Sequence, residues 1–207
     1  MPTLNACIKK GRKYDQVLDG ARTVFLRDGY EGASVDDIAR EACVSKATLY
    51  SYFPDKRLLF MEVARHECAR QADAAVELTD MTAPPRDVLT AAARRITGFS
   101  TSDFGQRMFR VCVAESDRFP ELGRAFYDSG PLLVRRRLAD YMRTAAARGD
   151  LVIPDIDLAA DQFAELCKAG IHAKLIFGAA ACSKEDIERT IEGAVDMFLA
   201  RYGARAA

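Results

Sequence analysis

Residues 34–53 read SVDDIAREACVSKATLYSYF and contain two short helical patterns separated by three residues. Ser34 can cap the first helix, residues 35–42, because a serine side chain accepts a hydrogen bond from the first free backbone N–H groups. Ser45 can cap the second helix, residues 46–53, in the same way. Two short helices joined by a three-residue link have the spacing of a helix-turn-helix motif.

The second helix has one buried face and one unusual outward face. With Leu49 as the reference, Phe53 lies about 40° away on a helical wheel, so both face inward. The opposite face carries Ala47, Thr48, Tyr50 and Ser51. The helix is about 12 Å long, close to the width of the B-DNA major groove, about 12 Å. These features predict a DNA-reading helix; the alternative is a two-helix corner whose polar face is only solvated.

The wider segment GASVDDIAREACVSKATLYSYFPDKRLLF, residues 32–60, resembles the DNA-binding domain of TetR-family transcriptional regulators. The pattern T-L-Y-x-Y-F-x-x-K at 48–56 is a specific signature, and residues 21–34 resemble the first helix and loop of that domain. Residues 107–131 resemble, more weakly, the ligand domain of the AcrR/AefR-like subset. The resemblance implies an all-α fold of about nine helices.

The same resemblance implies a division of the chain into two domains. Residues 1–55 are expected to form a three-helix helix-turn-helix DNA-binding domain, with a basic arm at 1–13. Residues 56–207 are expected to form a helical effector-binding and dimerisation domain, with helix 56–79 as the link. Apolar periodicity predicts further helices at about 85–100, 103–118, 121–148, 157–180 and 184–202. Gly130-Pro131 is expected to interrupt and kink the third of them.

The resemblance also implies roles for the residues around the second helix. Base edges or nearby backbone are contacted by Lys46, Ala47, Thr48 and Tyr50, and Ser51 can reach either. Phosphates are bound by Tyr52 and Lys56, and Ser34 caps its helix at the DNA backbone. The helix contains no Arg, Asn or Gln, so we expect few bidentate base contacts and a large share of phosphate and shape recognition.

Cys43 is a departure from the family pattern, which usually has glycine at this turn. The position follows a helix end, where a left-handed backbone conformation is common. A side chain there costs on the order of 1 kcal/mol. The sequence therefore predicts a strained turn at Cys43.

Charge is balanced over the whole chain and slightly positive at the start. The net charge is zero, with 30 basic and 30 acidic residues. Residues 1–66 contain 11 Lys and Arg against 9 Asp and Glu, a balance of +2. The basic residues 9–13 can be an arm on the DNA backbone or a solvated tail, and the sequence favours neither.

Two apolar stripes in the last helices predict a dimer, and the resemblance implies a four-helix bundle built from both subunits. The last helix carries Ile187, Ile191, Val195, Phe198 and Tyr202. The helix before it carries Leu166, Ala169, Gly170, Ala173 and Phe177, of which the small residues permit close helix approach. The alternative is that both stripes pack only within one subunit.

The middle helices contain many bulky or soft side chains, and the resemblance implies an effector cavity among them. The candidates are Phe99, Phe104, Met108, Cys112, Phe126, Tyr127, Tyr141, Phe163 and Cys167. Such a lining would suit a small, mainly apolar effector, although any one of these residues can be ordinary core. The polar candidates to orient a ligand are Arg110, Glu115, His172 and Lys174.

The favoured function is a ligand-responsive repressor that binds palindromic or near-palindromic operator DNA as a homodimer. An architectural DNA-binding protein without effector is the alternative. An all-α enzyme has no support, because the sequence lacks a nucleophile–base or phosphate-binding motif. Two histidines and six dispersed cysteines suggest no metal site or disulfide framework, and no cofactor is expected. No signal peptide or membrane-length apolar run is present, so we expect a cytoplasmic protein.

Overall fold

The computed structural model describes the backbone of residues 11–77 and 82–204, and the side chains of 11–67 and 82–204. The regular elements of the described residues are all helices, and one isolated bridge joins Leu151 and Gly203. The helices are α1 (Arg12–Gly32), α2 (Val35–Glu41), α3 (Lys46–Tyr52), α4 (Lys56–Glu77), α5 (Pro85–Thr101), α6 (Asp103–Glu115), α7 (Pro120–Ser129), α8 (Pro131–Ala147), α9 (Ile156–Leu166), α10 (His172–Ile176) and α11 (Lys184–Tyr202).

The all-α prediction is confirmed, but two predicted helices are each divided in the structure. The predicted helix 121–148 becomes α7 and α8, which are separated at Gly130, where the sequence predicts an interruption. The predicted helix 157–180 is wrong in its middle, because α9 ends at Leu166 and α10 begins only at His172. Gly170 lies between them with a φ of 76°, a left-handed conformation that ends helical geometry.

The chain separates into two compact units, divided at Glu67 within α4. The first unit contains α1, α2, α3 and the first three turns of α4. Its core is formed by side chains from all four helices, including Val17, Leu18, Val24, Phe25, Ile38, Leu49, Phe53, Leu59, Phe60 and Val63. The expected boundary at residue 55 would cut this core, because the α4 residues in it follow that position.

Gly20 sets how closely α1 approaches α2. A Cβ at Gly20 would lie 2.7 Å from the backbone nitrogen of Ala42 and 2.8 Å from its Cα. Both atoms belong to the backbone and cannot turn away as a flexible side chain could. The absence of a side chain at Gly20 therefore lets the end of α2 rest directly on α1.

The second unit is built around a core shared by α5, α8, α9 and α11. Its largest fully buried side chains include Leu89, Met142, Phe163 and Phe198. The end of α11 is joined to the turn after α8, where the backbone N–H of Val152 donates to the carbonyl of Tyr202 at 2.8 Å. No helix in the described residues is long and apolar enough to cross a membrane.

Candidate nucleic-acid interface

Both helices of the predicted motif are capped by the serines that the sequence indicates. The Ser34 hydroxyl accepts the backbone N–H of Asp37 at 3.0 Å, and the Ser45 hydroxyl accepts that of Thr48 at 3.1 Å. Ser34 also donates to the Asp37 carboxylate at 2.5 Å. These local bonds fix where α2 and α3 begin, and so fix the three-residue link between their ends.

Cys43 occupies the left-handed position of a Schellman motif at the end of α2. Its φ is 52°, and it is the only residue other than glycine with a positive φ among the described residues. The Cys43 N–H donates to Arg40 at 3.1 Å, and the Val44 N–H donates to Ala39 at 3.0 Å, which is the paired hydrogen-bond pattern of that motif. The predicted left-handed conformation at Cys43 is confirmed.

The buried and exposed faces of α3 agree with the helical-wheel prediction. Leu49 and Phe53 are buried and anchor the helix in the first unit. The outward residues Lys46, Ala47, Tyr50 and Ser51 are exposed, while Thr48 is half-buried. Tyr50 is a large aromatic side chain with 47% of its surface exposed, so it is accessible to a ligand at this face.

Most polar groups on this face already have partners within the chain. The Lys46 ammonium forms an ion pair with Asp36 of α2. The hydroxyls of Thr48 and Ser45 are 2.8 Å apart, and the Ser51 hydroxyl donates to the Thr48 carbonyl at 2.6 Å. In the part of the chain that the structure describes, the Tyr50 hydroxyl has no such partner, so Tyr50 can donate to a ligand without breaking an internal bond.

Lys56 lies in a different setting from the one implied by the resemblance. Its ammonium donates to the carbonyls of Tyr30 and Ala33 at 2.8 and 3.1 Å, and it lies 4.5 Å from the centre of the Tyr30 ring. Two of its three donors are therefore used to hold the end of α1 and Ala33, the residue before Ser34. Phosphate binding by Lys56 stays a prediction, and the contacts favour a supporting role.

A polar cluster between α1 and α4 lies behind the end of α3, and the sequence reasoning missed it. The Tyr14 hydroxyl donates to Glu62, which also accepts from Arg65, and burial together with Glu62 raises the pKa of Tyr14. The Tyr14 ring contacts Tyr52 edge-on, with ring centres 5.7 Å apart. Tyr14 thus connects the first turns of α4 to the end of α3. The period of acidic residues along α4 could not reveal this, because the partners come from α1.

A second polar link joins the same two helices further along. Glu67 is only 5% exposed, and the guanidinium of Arg22 donates to it at 2.8 Å. A buried carboxylate needs such a partner to offset the loss of its water. Together with the Tyr14 cluster, this link holds the first twelve residues of α4 against α1.

Of the basic residues in the predicted N-terminal arm, the structure describes Arg12 and Lys13, and both are exposed. Residues 1–10 lie outside the described residues.

The predicted effector residues fall into three settings in the second unit. Tyr141, Phe163 and Cys167 belong to the common core of α5, α8, α9 and α11. Met108 and Cys112 are buried on α6, whereas Phe99, Phe104 and Phe126 are half-buried and Tyr127 is 50% exposed. None of these nine lines the apolar groove found between α9 and α11, which is lined instead by residues such as Leu166, Met197 and Tyr202.

His172 has an unusual environment at the start of α10. Its Nδ1 is buried and has no hydrogen-bond partner among the described residues. Its ring meets Phe109 edge-on with centres 5.0 Å apart, and Phe109 lies 6.3 Å from Phe126. Burial, with Lys168 nearby, lowers the pKa of His172. Arg110 of α6 holds the other end of α10, donating to the carbonyls of Leu175 and Ile176 at 2.5 and 2.9 Å.

The two predicted dimer stripes differ in exposure. On α11, Ile191, Val195, Phe198 and Tyr202 are buried in the core of their own subunit, and Ile187 packs against it. This stripe therefore packs within its own subunit, as in the alternative to a dimer contact, because the subunit's core covers the most apolar face of α11. In the other stripe, Leu166 is half-buried and Ala169, Gly170, Ala173 and Phe177 are exposed, but the break at 167–171 prevents one continuous helical face. Phe177 is 84% exposed and Met197, on the outer face of α11, is 62% exposed.

Two family models match the chain. The model of tetR-family bacterial regulatory proteins matches residues 17–63, and that of the AefR-like transcriptional repressor C-terminal domain matches residues 87–204. The chain belongs to the TetR family. Its regulators are not enzymes, and this agrees with the absence of catalytic motifs from the sequence.

Curated relatives resemble part of this TetR-family chain. The HTH-type transcriptional repressor AcnR of Corynebacterium diphtheriae is 36% identical over 76 residues, 34% of this chain and 40% of that protein. The negative regulator IcaR of Staphylococcus aureus is 39% identical over 46 residues, 22% of this chain and 25% of that protein. The chain therefore covers well under half the length of these relatives.

Solved structures match nearly the whole TetR-family chain. The Flavonoid-responsive Regulator FrrA is 35% identical, with a TM-score of 0.73, over 95% of this chain and 100% of that one. A TetR-family transcriptional regulator from Mesorhizobium loti is 25% identical, with a TM-score of 0.79, over 94% of this chain and 100% of that one. Both units of the fold are thus found together in other members.

Proposed function

We propose that this TetR-family chain is a transcriptional repressor that reads operator DNA with α3. The observation that carries the proposal is the exposed face of α3, where Tyr50 projects from a helix anchored by Leu49 and Phe53. A helix presented in this way by a helix-turn-helix can enter the major groove. The relatives AcnR and IcaR are repressors, which supports this direction of regulation.

Within this proposal, Tyr50 and Ala47 contact base edges directly, and Lys46 and Thr48 do so after giving up their internal partners. Ser51 contacts either bases or backbone. Tyr52, held in place by Tyr14, contacts a phosphate, and the capped start of α2 at Ser34 lies along the backbone. Lys56 acts indirectly, by holding the loop that precedes Ser34. Few side chains are free for base contacts, so DNA shape carries much of the selectivity.

A single helix-turn-helix of this size, here called the reading head, binds DNA weakly. A homodimer on a near-palindromic operator supplies a second reading head. The surface proposed for pairing contains the outer side of α11 at Met197, together with Leu166 and the exposed Phe177. Leu166 and Met197 line the same groove between α9 and α11, and a contiguous exposed apolar patch is typical of a protein–protein contact. The small residues Ala169 and Ala173 leave room for a partner to approach closely.

The effector is proposed to be small, mainly apolar and aromatic. The aromatic cluster of Phe109, Phe126 and His172 would stack on such a molecule, and the buried His172 Nδ1 offers one polar contact. FrrA, which is similar over nearly the whole chain, responds to flavonoids, so flavonoids are the first compounds to test. Effector binding would act on DNA through α4, whose first turns are held to α1 by the Tyr14 and Glu67 contacts.

The test begins with selection of bound duplexes from a random DNA pool, followed by titration of the selected duplex against Tyr50→Ala and wild type. Each lost tyrosine contact is worth about 1 kcal/mol, so loss from both heads lowers affinity roughly tenfold to thirtyfold. Tyr127→Ala, which removes an exposed tyrosine from the second unit, is the matched control and should bind as wild type does.

Two outcomes would contradict the proposal. Equal affinity of Tyr50→Ala and wild type for the selected duplex would remove the assignment of α3 as the reading helix. Equal affinity of the wild type for random and selected DNA would favour the architectural alternative. Release of the selected duplex by a flavonoid at micromolar concentration would support the effector class.

A further inference from the structure

An ion pair joins the two helices of the DNA-reading motif at their starts. Asp36 lies in the first turn of α2, two residues after its cap Ser34, and Lys46 is the first residue of α3. The Lys46 ammonium contacts the Asp36 carboxylate, and the two side chains are 57% and 62% exposed. The pair therefore lies on the same solvent-exposed surface as the start of the proposed reading helix.

The ion pair between Asp36 and Lys46 contributes little to the stability of the fold. An exposed ion pair contributes little to folding, since water and salt screen both charges. The starts of α2 and α3 are already fixed by the serine caps at Ser34 and Ser45. The main physical effect of the pair is on the surface charge, because Asp36 cancels the one basic side chain carried by α3.

We infer that Asp36 is an intramolecular competitor for DNA phosphate that lowers the affinity of the reading head by holding Lys46. This inference rests on the proposed function, in which α3 faces DNA. The carboxylate takes the place that a phosphate oxygen would have at Lys46, and its own charge repels the DNA backbone. Asp36 acts through Lys46 and is a positioning residue; it does not itself read bases.

The consequence is that Asp36 limits the affinity of the helix-turn-helix for DNA. A free lysine that binds a phosphate releases a counterion and adds about 0.9 to the slope of log affinity against log salt. A lysine already neutralised by Asp36 releases none. Removal of the carboxylate should therefore strengthen binding to operator and random DNA alike, and leave the ratio of the two affinities nearly unchanged.

The test is a double-mutant cycle on the full chain with a random duplex, from 50 to 200 mM salt. Asp36→Asn should steepen the slope by about 0.9 for each head in contact, a gain of about eightfold per head at 0.1 M salt. Lys46→Met should lower affinity more in the Asp36→Asn background than in the wild-type background, because the ammonium it removes is held by Asp36 only in the wild type.

Asp19→Asn is the matched control, because it removes one exposed carboxylate from α1 of the same unit. Its slope should stay within about 0.3 of wild type. Thermal unfolding by circular dichroism checks that all variants remain folded.

Three results would overturn the inference. Asp36→Asn and Asp19→Asn could shift the slope equally, which would reduce Asp36 to general charge. Lys46→Met could cost the same affinity in both backgrounds, which would show that the pair does not restrain Lys46. Asp36→Asn could weaken binding to the selected operator alone, which would make Asp36 a base-reading residue. A wild-type chain that binds no duplex at 50 mM salt would overturn the proposed function as well, and is thereby distinguished from these three.

Discussion

Replacement of Cys43 by glycine should stabilise the protein. Cys43 has a φ of 52°, and its side chain is exposed, so the substitution removes no buried contact. A Cβ in the left-handed region costs about 1–2 kcal/mol. Glycine also gains freedom in the unfolded chain, which offsets about 0.4–1 kcal/mol of that relief. The net gain is about 0.5–1 kcal/mol, and Tm should rise by about 1–4 °C in a protein of this size.

The assay is thermal unfolding followed by circular dichroism at 222 nm, with wild type, Cys43→Gly and Cys43→Ala at equal concentration. Alanine keeps the Cβ and loses the sulfur, so Cys43→Ala should unfold within about 1 °C of wild type. Binding of the selected duplex should persist in both variants, because the Schellman hydrogen bonds at Cys43 and Val44 use backbone groups only. A Cys43→Gly variant that melts at or below the temperature of Cys43→Ala would refute the reasoning about strain.

Three further measurements test other contacts. Tyr14→Phe loses the hydrogen bond to the Glu62 carboxylate, so Tm should fall by about 4–8 °C for a loss of about 2 kcal/mol; Tyr127→Phe is the control and should not shift Tm. Lys56→Met should lower Tm but leave the salt slope of DNA binding unchanged, because its ammonium holds the carbonyls of Tyr30 and Ala33; a shallower slope would restore its phosphate role. Because burial lowers the pKa of His172, the unfolded chain binds a proton below about pH 6.5 that the folded chain does not. Stability should fall as pH drops from 7.5 through this range, and the fall should be smaller in His172→Phe; equal falls would contradict the assignment.

The helix-turn-helix could be predicted because the signals that build it are local. Ser34 and Ser45 cap helices whose first free N–H groups lie three residues away, and Leu49 and Phe53 share a face by helical period alone. The left-handed turn at Cys43 follows from its place after a helix end. None of these inferences needs to know what packs against the motif.

Contacts between distant segments could not be predicted in the same way. Lys56 matches the family signature, yet its ammonium turns to carbonyls 23 and 26 positions earlier in the chain. The apolar residues of α11 do share one face, as the sequence predicts. A helical wheel, however, does not show that α5 and α9 of the same subunit cover this face. The break before α10 depends on Gly170 adopting a positive φ, which the apolar period of the segment conceals.

The division of α4 has a practical consequence for building hybrid regulators from this chain. Leu59, Phe60 and Val63 contribute to the core of the first unit, and Glu67 is the last α4 residue with a described side chain, which accepts a hydrogen bond from Arg22 of α1. A chimera joined at Pro54 would place a foreign helix against the native α1 and leave Tyr14 and Arg22 without their carboxylates. An exchange made after Glu67 would move the first unit together with its core. A different DNA specificity could then be combined with an existing effector-binding domain.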